Sequence, residues 1–198
     1  MNSVDTQYNM TTQQQFEQAI ALCRDIFVKK MYDYGTAWRV LRIPSLTDQI
    51  YIKANRIRSL QTKGVSKVGE GIVPEFIAIV NYAIMGLIQL ELGVADGTNK
   101  DDLHDERMAE AYDIQVEAAL QLMLRKNHDY DEAWRLMRVS SYVDFILTKV
   151  FRTKQIEEHE GNTLVSEGID ANYLDMLNYA IFAIIKLEVE KSEQNAEK

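Results

Sequence analysis

The stretch YDYGTAWRVLRIPSLTDQIYIKANRIR at residues 32–58 recurs as HDYDEAWRLMRVSSYVDFILTKVFRTK at residues 128–154. The two copies align at a constant offset of 96, and 11 of their 27 positions are identical. Further along, VGEGI at 68–72 and NYAI at 81–84 return as VSEGI at 165–169 and NYAI at 178–181, now at an offset of 97. The chain is therefore an internal duplication of one unit.

The pattern of apolar residues predicts an all-α fold. The apolar stripe of the first helix has helical spacing in both copies: Phe16, Ile20, Cys23 and Phe27, matched by Tyr112, Val116, Ala119 and Met123. Residues 76–90 and 176–187 are apolar nearly all round, so the third helix of each copy must be covered on every side. We expect a duplicated helical bundle with about three main helices per repeat and a pseudo-twofold that pairs the two third helices.

The repeats span residues 11–92 and 106–190, with a linker at 93–105. A core is marginal in a unit of about 80 residues, so the two repeats are expected to form one compact domain. Thr11 or Thr12 begins the first helix, because a glutamine follows each three residues later as in a capping box. Ser45 and Ser141 are expected to begin the second helix of each repeat.

Bulk properties exclude several classes of protein. A net charge of −8 argues against generic nucleic-acid binding through the phosphate backbone. The single cysteine, Cys23, excludes a disulfide framework, and the N-terminus lacks the features of a secretory signal. The apolar run at 76–90 is interrupted by Asn81 and Gln89 and is too short to span a bilayer. We expect a soluble cytoplasmic protein with no membrane partner, and leave homo-oligomer formation open.

The second helix repeats an acidic and two basic residues at identical spacing: Asp48, Lys53 and Arg56, then Asp144, Lys149 and Arg152. These trios span about 140° of a helix, and a pseudo-twofold is expected to bring both to one cleft. Lysine and arginine together suit phosphate oxygens. The alternative is that Asp48 and Asp144 pair with the N-cap serines, and that the basic residues are solvated surface charge.

The third helix of the second repeat carries Asn172, Asp175 and Asn178 on one narrow edge. A buried carboxylate must be paired, protonated, bound to metal or placed at a cleft. For Asp175 a structural ion pair with Arg152 or Lys149 and a functional role remain open. The first repeat has Glu75, Ala78 and Asn81 at the equivalent places, so its carboxylate lies one helical turn earlier.

Both tryptophans of the chain, Trp38 and Trp134, are followed by Arg39 and Arg135 and preceded by Asp33-Tyr34 and Asp129-Tyr130. Tryptophan beside arginine can stack a nucleobase and hold a phosphate, although such a tryptophan is more often a core anchor. The repeated Glu70 and Glu167 are oxygen ligands or helix N-terminal charges. The chain has no Ser-His-Asp set, zinc spacing, P-loop or dinucleotide fingerprint.

These segments resemble a bacterial and phage family called nucleotide modification associated domain 1, here in duplicated form. Its pattern is K-x-x-DYG-x-x-(W/F), then D-x-x-x-x-K-x-x-R, then an acidic residue and NYAI. The first repeat matches at Lys30, Asp33-Tyr34-Gly35, Trp38, Asp48, Lys53, Arg56 and 81–84. The second matches at Lys126, Asp129-Tyr130, Trp134, Asp144, Lys149, Arg152, Asp175 and 178–181, with Asp131 in place of the glycine.

The third helix is more distantly similar to the all-α nucleoside triphosphate pyrophosphatases of the MazG and dUTPase type. That resemblance implies Mg²⁺-dependent cleavage between the α- and β-phosphates, although the acidic motifs are incomplete here. The implied catalytic residues are Asp175, Glu167, Asp144 and Asp48, and the implied metal ligands are Asp175, Glu167 and Glu75. The implied nucleotide-binding residues are Lys53, Arg56, Lys149, Arg152, Trp38, Trp134, Arg39, Arg135, Asp33 and Asp129. The alternative is a non-catalytic module that binds a nucleotide or a partner protein.

Overall fold

The computed structural model describes residues 10–64, 71–96, 106–165 and 167–192. The first repeat forms α1 (Thr12–Tyr34), a 3₁₀ turn (Ala37–Val40), α2 (Ile43–Lys63) and α3 (Val73–Leu92). The second forms α4 (Met108–Tyr130), a 3₁₀ turn (Ala133–Leu136), α5 (Val139–Glu158) and α6 (Ile169–Ile184), which continues as a π-helical turn (Ile185–Val189). The predicted all-α duplicated architecture is confirmed. We call the two 3₁₀ turns the first and second Trp turns, because they contain Trp38 and Trp134.

The start of α1 agrees with the sequence, and the starts of α2 and α5 do not. Thr11 and Gln14 form the capping box at α1, in which the Thr11 backbone N–H donates to the Gln14 side chain at 2.9 Å. The helices α2 and α5 begin at Ile43 and Val139, two residues before the serines that were expected as N-caps. Pro44 favours the earlier start of α2, because proline fits the first turn of a helix. The expected N-cap and N3 roles of these serines and of Asp48 and Asp144 are therefore wrong.

The third helices pack against each other at the centre, as the sequence predicts. Each also packs on the second helix of its own repeat, and α2 contacts α5. The first helix of each repeat also contacts the third helix of the other repeat: α1 contacts α6, and α4 contacts α3. The buried residues of both repeats form one core cluster. This exchange of contacts between the repeats is what a pseudo-twofold requires.

The helices α3 and α6 come into close contact at Gly86. A Cβ atom at Gly86 would lie 2.6 Å from Cε1 of Tyr173, so only glycine allows the ring to sit there. The Tyr173 hydroxyl lies 2.8 Å from the Thr47 hydroxyl and donates to the carbonyl of Ile43 at 3.3 Å. Tyr173 of α6 therefore ties the second repeat to α2 of the first.

The helix α3 is longer than the apolar run at 76–90 from which it was predicted. At 20 residues it is long and apolar enough to span a bilayer, so the expectation that it is too short is wrong on length. In the described part of the chain, 67% of its most apolar stretch is buried against other helices. This burial is typical of the core helix of a soluble bundle.

Candidate functional site

A pocket lies beside the tryptophan of each Trp turn. The first-repeat pocket has a volume of about 490 Å³ and lies between α1, the first Trp turn, α2 and α3. The second-repeat pocket has about 320 Å³ and lies between α4, the second Trp turn and α6. Equivalent residues line both: Lys30 and Lys126, Tyr34 and Tyr130, Trp38 and Trp134, Asn81 and Asn178, Tyr82 and Tyr179. Several of the polar residues that the repeats share therefore line these two pockets.

A donor from the third helix holds each Trp turn in place. In the first repeat Gln89 donates to the carbonyls of Arg39 and Leu41, at 2.8 and 2.7 Å. In the second repeat Lys186, at the equivalent position, donates to the equivalent carbonyls of Arg135 and Met137, at 2.7 and 2.6 Å. The sequence signal for this contact is that Gln89 and Lys186 are both polar and stand at equivalent positions near the end of an apolar helix. Sequence reasoning did not use this signal.

The two tryptophans are buried at the pocket walls, with 8% of Trp38 and 6% of Trp134 exposed. Neither indole N–H has a hydrogen-bond partner among the residues that the structure describes. A buried donor without a partner costs about 1–3 kcal/mol, so such groups need an explanation. Both tryptophans therefore pack as core anchors, and each leaves a buried indole N–H without a partner among the described residues.

The asparagine of each NYAI motif clamps the third helix to the first. Asn81 donates to the carbonyl of Cys23 at 3.0 Å, and Asn178 donates to the carbonyl of Ala119 at 3.2 Å. Cys23 and Ala119 are equivalent positions of α1 and α4. These asparagines therefore have a structural role behind the pockets.

The first-repeat pocket is cationic. Glu75 is buried, its Oε2 lies 3.2 Å from the ammonium of Lys53, and its Oε1 accepts a hydrogen bond from Arg56. Lys30 is exposed at the same pocket and has no ion-pair partner in the described ranges. Burial and the charge of Glu75 raise the pKa of Tyr82, so its hydroxyl stays protonated at neutral pH. Three cations therefore face one carboxylate in this pocket.

In the second-repeat pocket the carboxylate is Asp175. Its Oδ1 lies 2.5 Å from the ammonium of Lys126 and its Oδ2 lies 2.6 Å from that of Lys149. Burial works against the charge of Lys126, but the hydrogen bond to Asp175 and its negative charge outweigh this and raise the pKa of Lys126. The ion pair with Lys149 that the sequence left open is formed. The other suggested partner, Arg152, is exposed and lines a separate pocket.

The two basic-acidic trios do not share one cleft, so that expectation is wrong. Lys53 and Arg56 face the first-repeat pocket. Asp48 and Asp144 lie instead on the exposed surface where α2 meets α5, and they pair with Lys154 at 2.5 Å and with Arg58. Five residues turn a helix by about 140° relative to the starting side chain, so the aspartate of each trio faces away from its lysine.

Arg39 and Arg135 lie beside their tryptophans but outside the Trp pockets. Their guanidinium carbons lie 5.7 Å from the centre of the Trp38 ring and 4.4 Å from that of Trp134. Arg135 is held in a network with Glu132, Glu190, Thr12 and Gln15, and Arg39 lines another pocket with Glu91 and Arg107. Asp33 and Asp129 are exposed and do not line either Trp pocket. The structure therefore does not bring these four residues together with Lys53 and Arg56.

The proposed magnesium ligands lie in three different pockets. Glu75 lines the first-repeat pocket, Asp175 the second-repeat pocket, and Glu167 a third pocket of about 1090 Å³. Glu75 and Asp175 each already contact two cations, and the described part of the chain has no group of three acidic, histidine or cysteine ligands. Mg²⁺ in proteins is usually held by one or two carboxylates together with waters and substrate phosphates, and these three carboxylates do not come together in one magnesium site. Glu70 lies outside the described residues.

Sequence reasoning missed Lys30 as a binding residue, although it stands at the start of the quoted pattern. A family model described as nucleotide modification associated domain 1 matches residues 30–90 and 126–187. No curated protein and no solved structure matches the chain. The two matched segments begin at Lys30 and Lys126 and include the Trp turn, the second helix and most of the third helix of each repeat. Since they cover more than half of the 198 residues, the chain belongs to the nucleotide modification associated domain 1 family and carries the domain twice.

Proposed function

We propose that this protein is a nucleotide-binding module whose ligand lies in the first-repeat pocket. One observation carries this: a single pocket of about 490 Å³ combines an apolar wall with three cations and one carboxylate. Pockets of about 300–1,000 Å³ with apolar walls and a few polar groups are the usual form of small-molecule sites. The family description, nucleotide modification associated domain 1, supports a nucleotide as the ligand.

The apolar wall suits a nucleobase. Trp38 and Tyr82 line it together with the aliphatic side chains of Ile26, Met31 and Ile77. Aromatic rings stack on any base, and each such contact is worth about 1–3 kcal/mol.

The cations suit the phosphate. The fork of Arg56 and the ammonium groups of Lys30 and Lys53 are the donors that bind phosphate oxygens most strongly. Lys53 and Arg56 are held in place by Glu75, so they are pre-organised before the ligand arrives. Pre-organisation reduces the entropy lost on binding.

Hydrolysis of a nucleoside triphosphate with Mg²⁺ remains a prediction from the distant resemblance to the pyrophosphatases. The binding module is the better-supported function, because both buried pocket carboxylates are engaged by cations. No step through magnesium is assigned to these residues.

The test compares Lys30→Ala with Lys29→Ala by isothermal titration calorimetry against nucleoside mono-, di- and triphosphates at low salt. Lys29 is the matched control, because it directly precedes Lys30 in α1 and does not line the pocket. It is exposed and forms an ion pair with Asp25. Loss of one charge-assisted contact is expected to weaken binding about tenfold in Lys30→Ala, with little change in Lys29→Ala.

Two results would contradict this function. The first is wild-type protein that binds no member of the nucleotide panel, and the second is equal weakening in the two variants. Release of pyrophosphate from a triphosphate with Mg²⁺ would instead establish an enzyme.

A further inference from the structure

We propose that the first-repeat pocket alone binds ligand, and that it takes one nucleoside monophosphate per chain. This rests on the proposed function and adds the phosphate class, the stoichiometry and the choice between two related pockets. Three differences between the pockets carry it: the covering of the tryptophan ring, the charge at one equivalent position, and the charge balance of the cations.

The ring of Trp134 has no free face. Phe182 stacks on it in parallel, with ring centres 4.3 Å apart and an interplanar angle of 7°. The guanidinium carbon of Arg135 lies 4.4 Å from the centre of the same ring. Because Phe182 covers one face of Trp134, the guanidinium group has room only on the opposite face. A base therefore cannot stack on Trp134.

Trp38 is covered less closely. Its aromatic neighbour Phe27 is tilted by 56° with ring centres 6.2 Å apart, and the guanidinium carbon of Arg39 is 5.7 Å away. Met85 stands at the position equivalent to Phe182, so no aromatic ring occupies the place of the parallel stack. Trp38 is therefore not held between a parallel ring and a guanidinium group as Trp134 is.

The charges at equivalent positions also differ. Asp175 lines the second-repeat pocket where Ala78 lines the first. Asp175 engages both Lys126 and Lys149 and presents a carboxylate to an incoming anion. In the first-repeat pocket that place is a methyl group, and Lys30 remains without an ion-pair partner among the described residues. Only the first pocket is suited to a phosphate.

The charge balance of the first-repeat pocket selects a monophosphate. Lys30, Lys53 and Arg56 against Glu75 leave two positive charges. A phosphate monoester carries about −1.5 to −2 at neutral pH, so it is neutralised there without a metal ion. A triphosphate carries about two further negative charges, for which the pocket has no cations.

The test uses the two tryptophans as separate reporters, since the chain has only two. Trp134→Phe leaves Trp38 as the sole tryptophan, and Trp38→Phe leaves Trp134. Each variant is titrated with nucleoside mono- and triphosphates without Mg²⁺. We expect the emission of Trp38 to change and saturate at one ligand per chain, with a monophosphate bound about tenfold or more tighter than its triphosphate. The emission of Trp134 is expected not to change.

A second pair of variants tests the charge at position 78. Ala78→Asp copies the carboxylate of the second repeat into the first, and Ala78→Asn is its control of equal size without charge. Ala78→Asp is expected to weaken monophosphate binding by about tenfold or more relative to Ala78→Asn. Calorimetry on the wild type gives the stoichiometry independently of any variant.

Two ligands per wild-type chain, a saturable change at Trp134, tighter binding of the triphosphate, or equal binding by the two position-78 variants would each overturn the inference and leave the proposed function standing. No binding of any nucleotide to the wild type would overturn both.

Discussion

At the residue scale, equivalent side chains of the two repeats form the same kind of interaction with different partners. Lys53 and Lys149 are equivalent, and each holds a buried carboxylate. The carboxylate comes from Glu75 in one repeat and from Asp175, one helical turn later, in the other. The same lysine position is therefore paired in both repeats, although its carboxylate partner has moved by one helical turn.

Replacing Asp175 by asparagine is expected to destabilise the fold. It leaves Lys149, whose side chain is only 14% exposed, without its counter-ion, and breaking a buried pair in this way costs about 3–5 kcal/mol of the free energy of unfolding. Asp144→Asn is the control, because its pair with Arg58 is exposed and worth about 0–1 kcal/mol. Urea unfolding of both variants measures the difference, and equal losses would show that Asp175 is not a structural partner.

The same variant has a defined pH dependence. Because Asp175 raises the pKa of Lys126 in the folded protein, this pair contributes stability that is fully present below the unfolded-state pKa of lysine, about 10.4. That contribution is lost as the pH rises through the raised folded pKa. The stability difference between wild type and Asp175→Asn is therefore expected to stay constant up to about pH 10 and to shrink only above that pH.

At the element scale, α3 and α6 decide the packing. Both are apolar nearly all round, and their polar residues find partners inside the bundle, such as Gln89 at the first Trp turn. The close contact of Gly86 with Tyr173 sets how near the two helices come. Tyr173 is itself held by Thr47, so its ring cannot withdraw without breaking a contact to α2.

Gly86→Ala is expected to lower the free energy of unfolding. The new methyl group overlaps the ring of Tyr173, and overpacking of this kind costs about 1–3 kcal/mol, offset by about 1 kcal/mol of helix propensity. Gly71→Ala is the matched control, because a Cβ there meets nothing within 4 Å, and its effect is expected within about 0.5 kcal/mol. A stable Gly86→Ala protein with unchanged unfolding would show that the helices separate easily.

At the scale of the whole molecule, the pseudo-twofold places the first helix of each repeat against the third helix of the other. The hydroxyl of Tyr112 in α4 donates to Oδ1 of Asn81 at 2.8 Å. The symmetric contact would join Phe16 of α1 to Asn178, but phenylalanine has no hydroxyl. Accordingly, Oδ1 of Asn178 is buried without a partner among the described residues.

Phe16→Tyr is therefore expected to stabilise the protein. The new hydroxyl satisfies Oδ1 of Asn178, and a hydrogen bond of this kind contributes about 1 kcal/mol to the free energy of unfolding. A double-mutant cycle with Asn178→Ala isolates the contact, because the gain must vanish in that background. Stabilisation that persists without Asn178, or a loss of stability from Phe16→Tyr, would refute the symmetric placement of Phe16.

The sequence by itself determined the all-α class, the duplication, a capping box at Thr11 or Thr12 and the pairing of the third helices. These follow from local rules and from the repeat: apolar periodicity defines which face of a helix is buried, and a helix apolar all round requires cover on all sides. Lys53, Arg56 and Trp38, which line the first-repeat pocket, were also identified from repeated residues, whereas Lys30 was not.

Only the tertiary structure decided which residues share a pocket. Helical spacing gives the direction of Asp48 relative to Lys53, but the neighbour that each meets depends on how six helices dock. In the folded protein Asp48 pairs with Lys154 of the other repeat, whereas Lys53 pairs with Glu75 of its own repeat. Helix docking also covered both faces of Trp134 and left Trp38 without a parallel stack. Two copies of one motif thus differ in their contacts and charges, because packing between elements distant in sequence decides which faces and charges remain available.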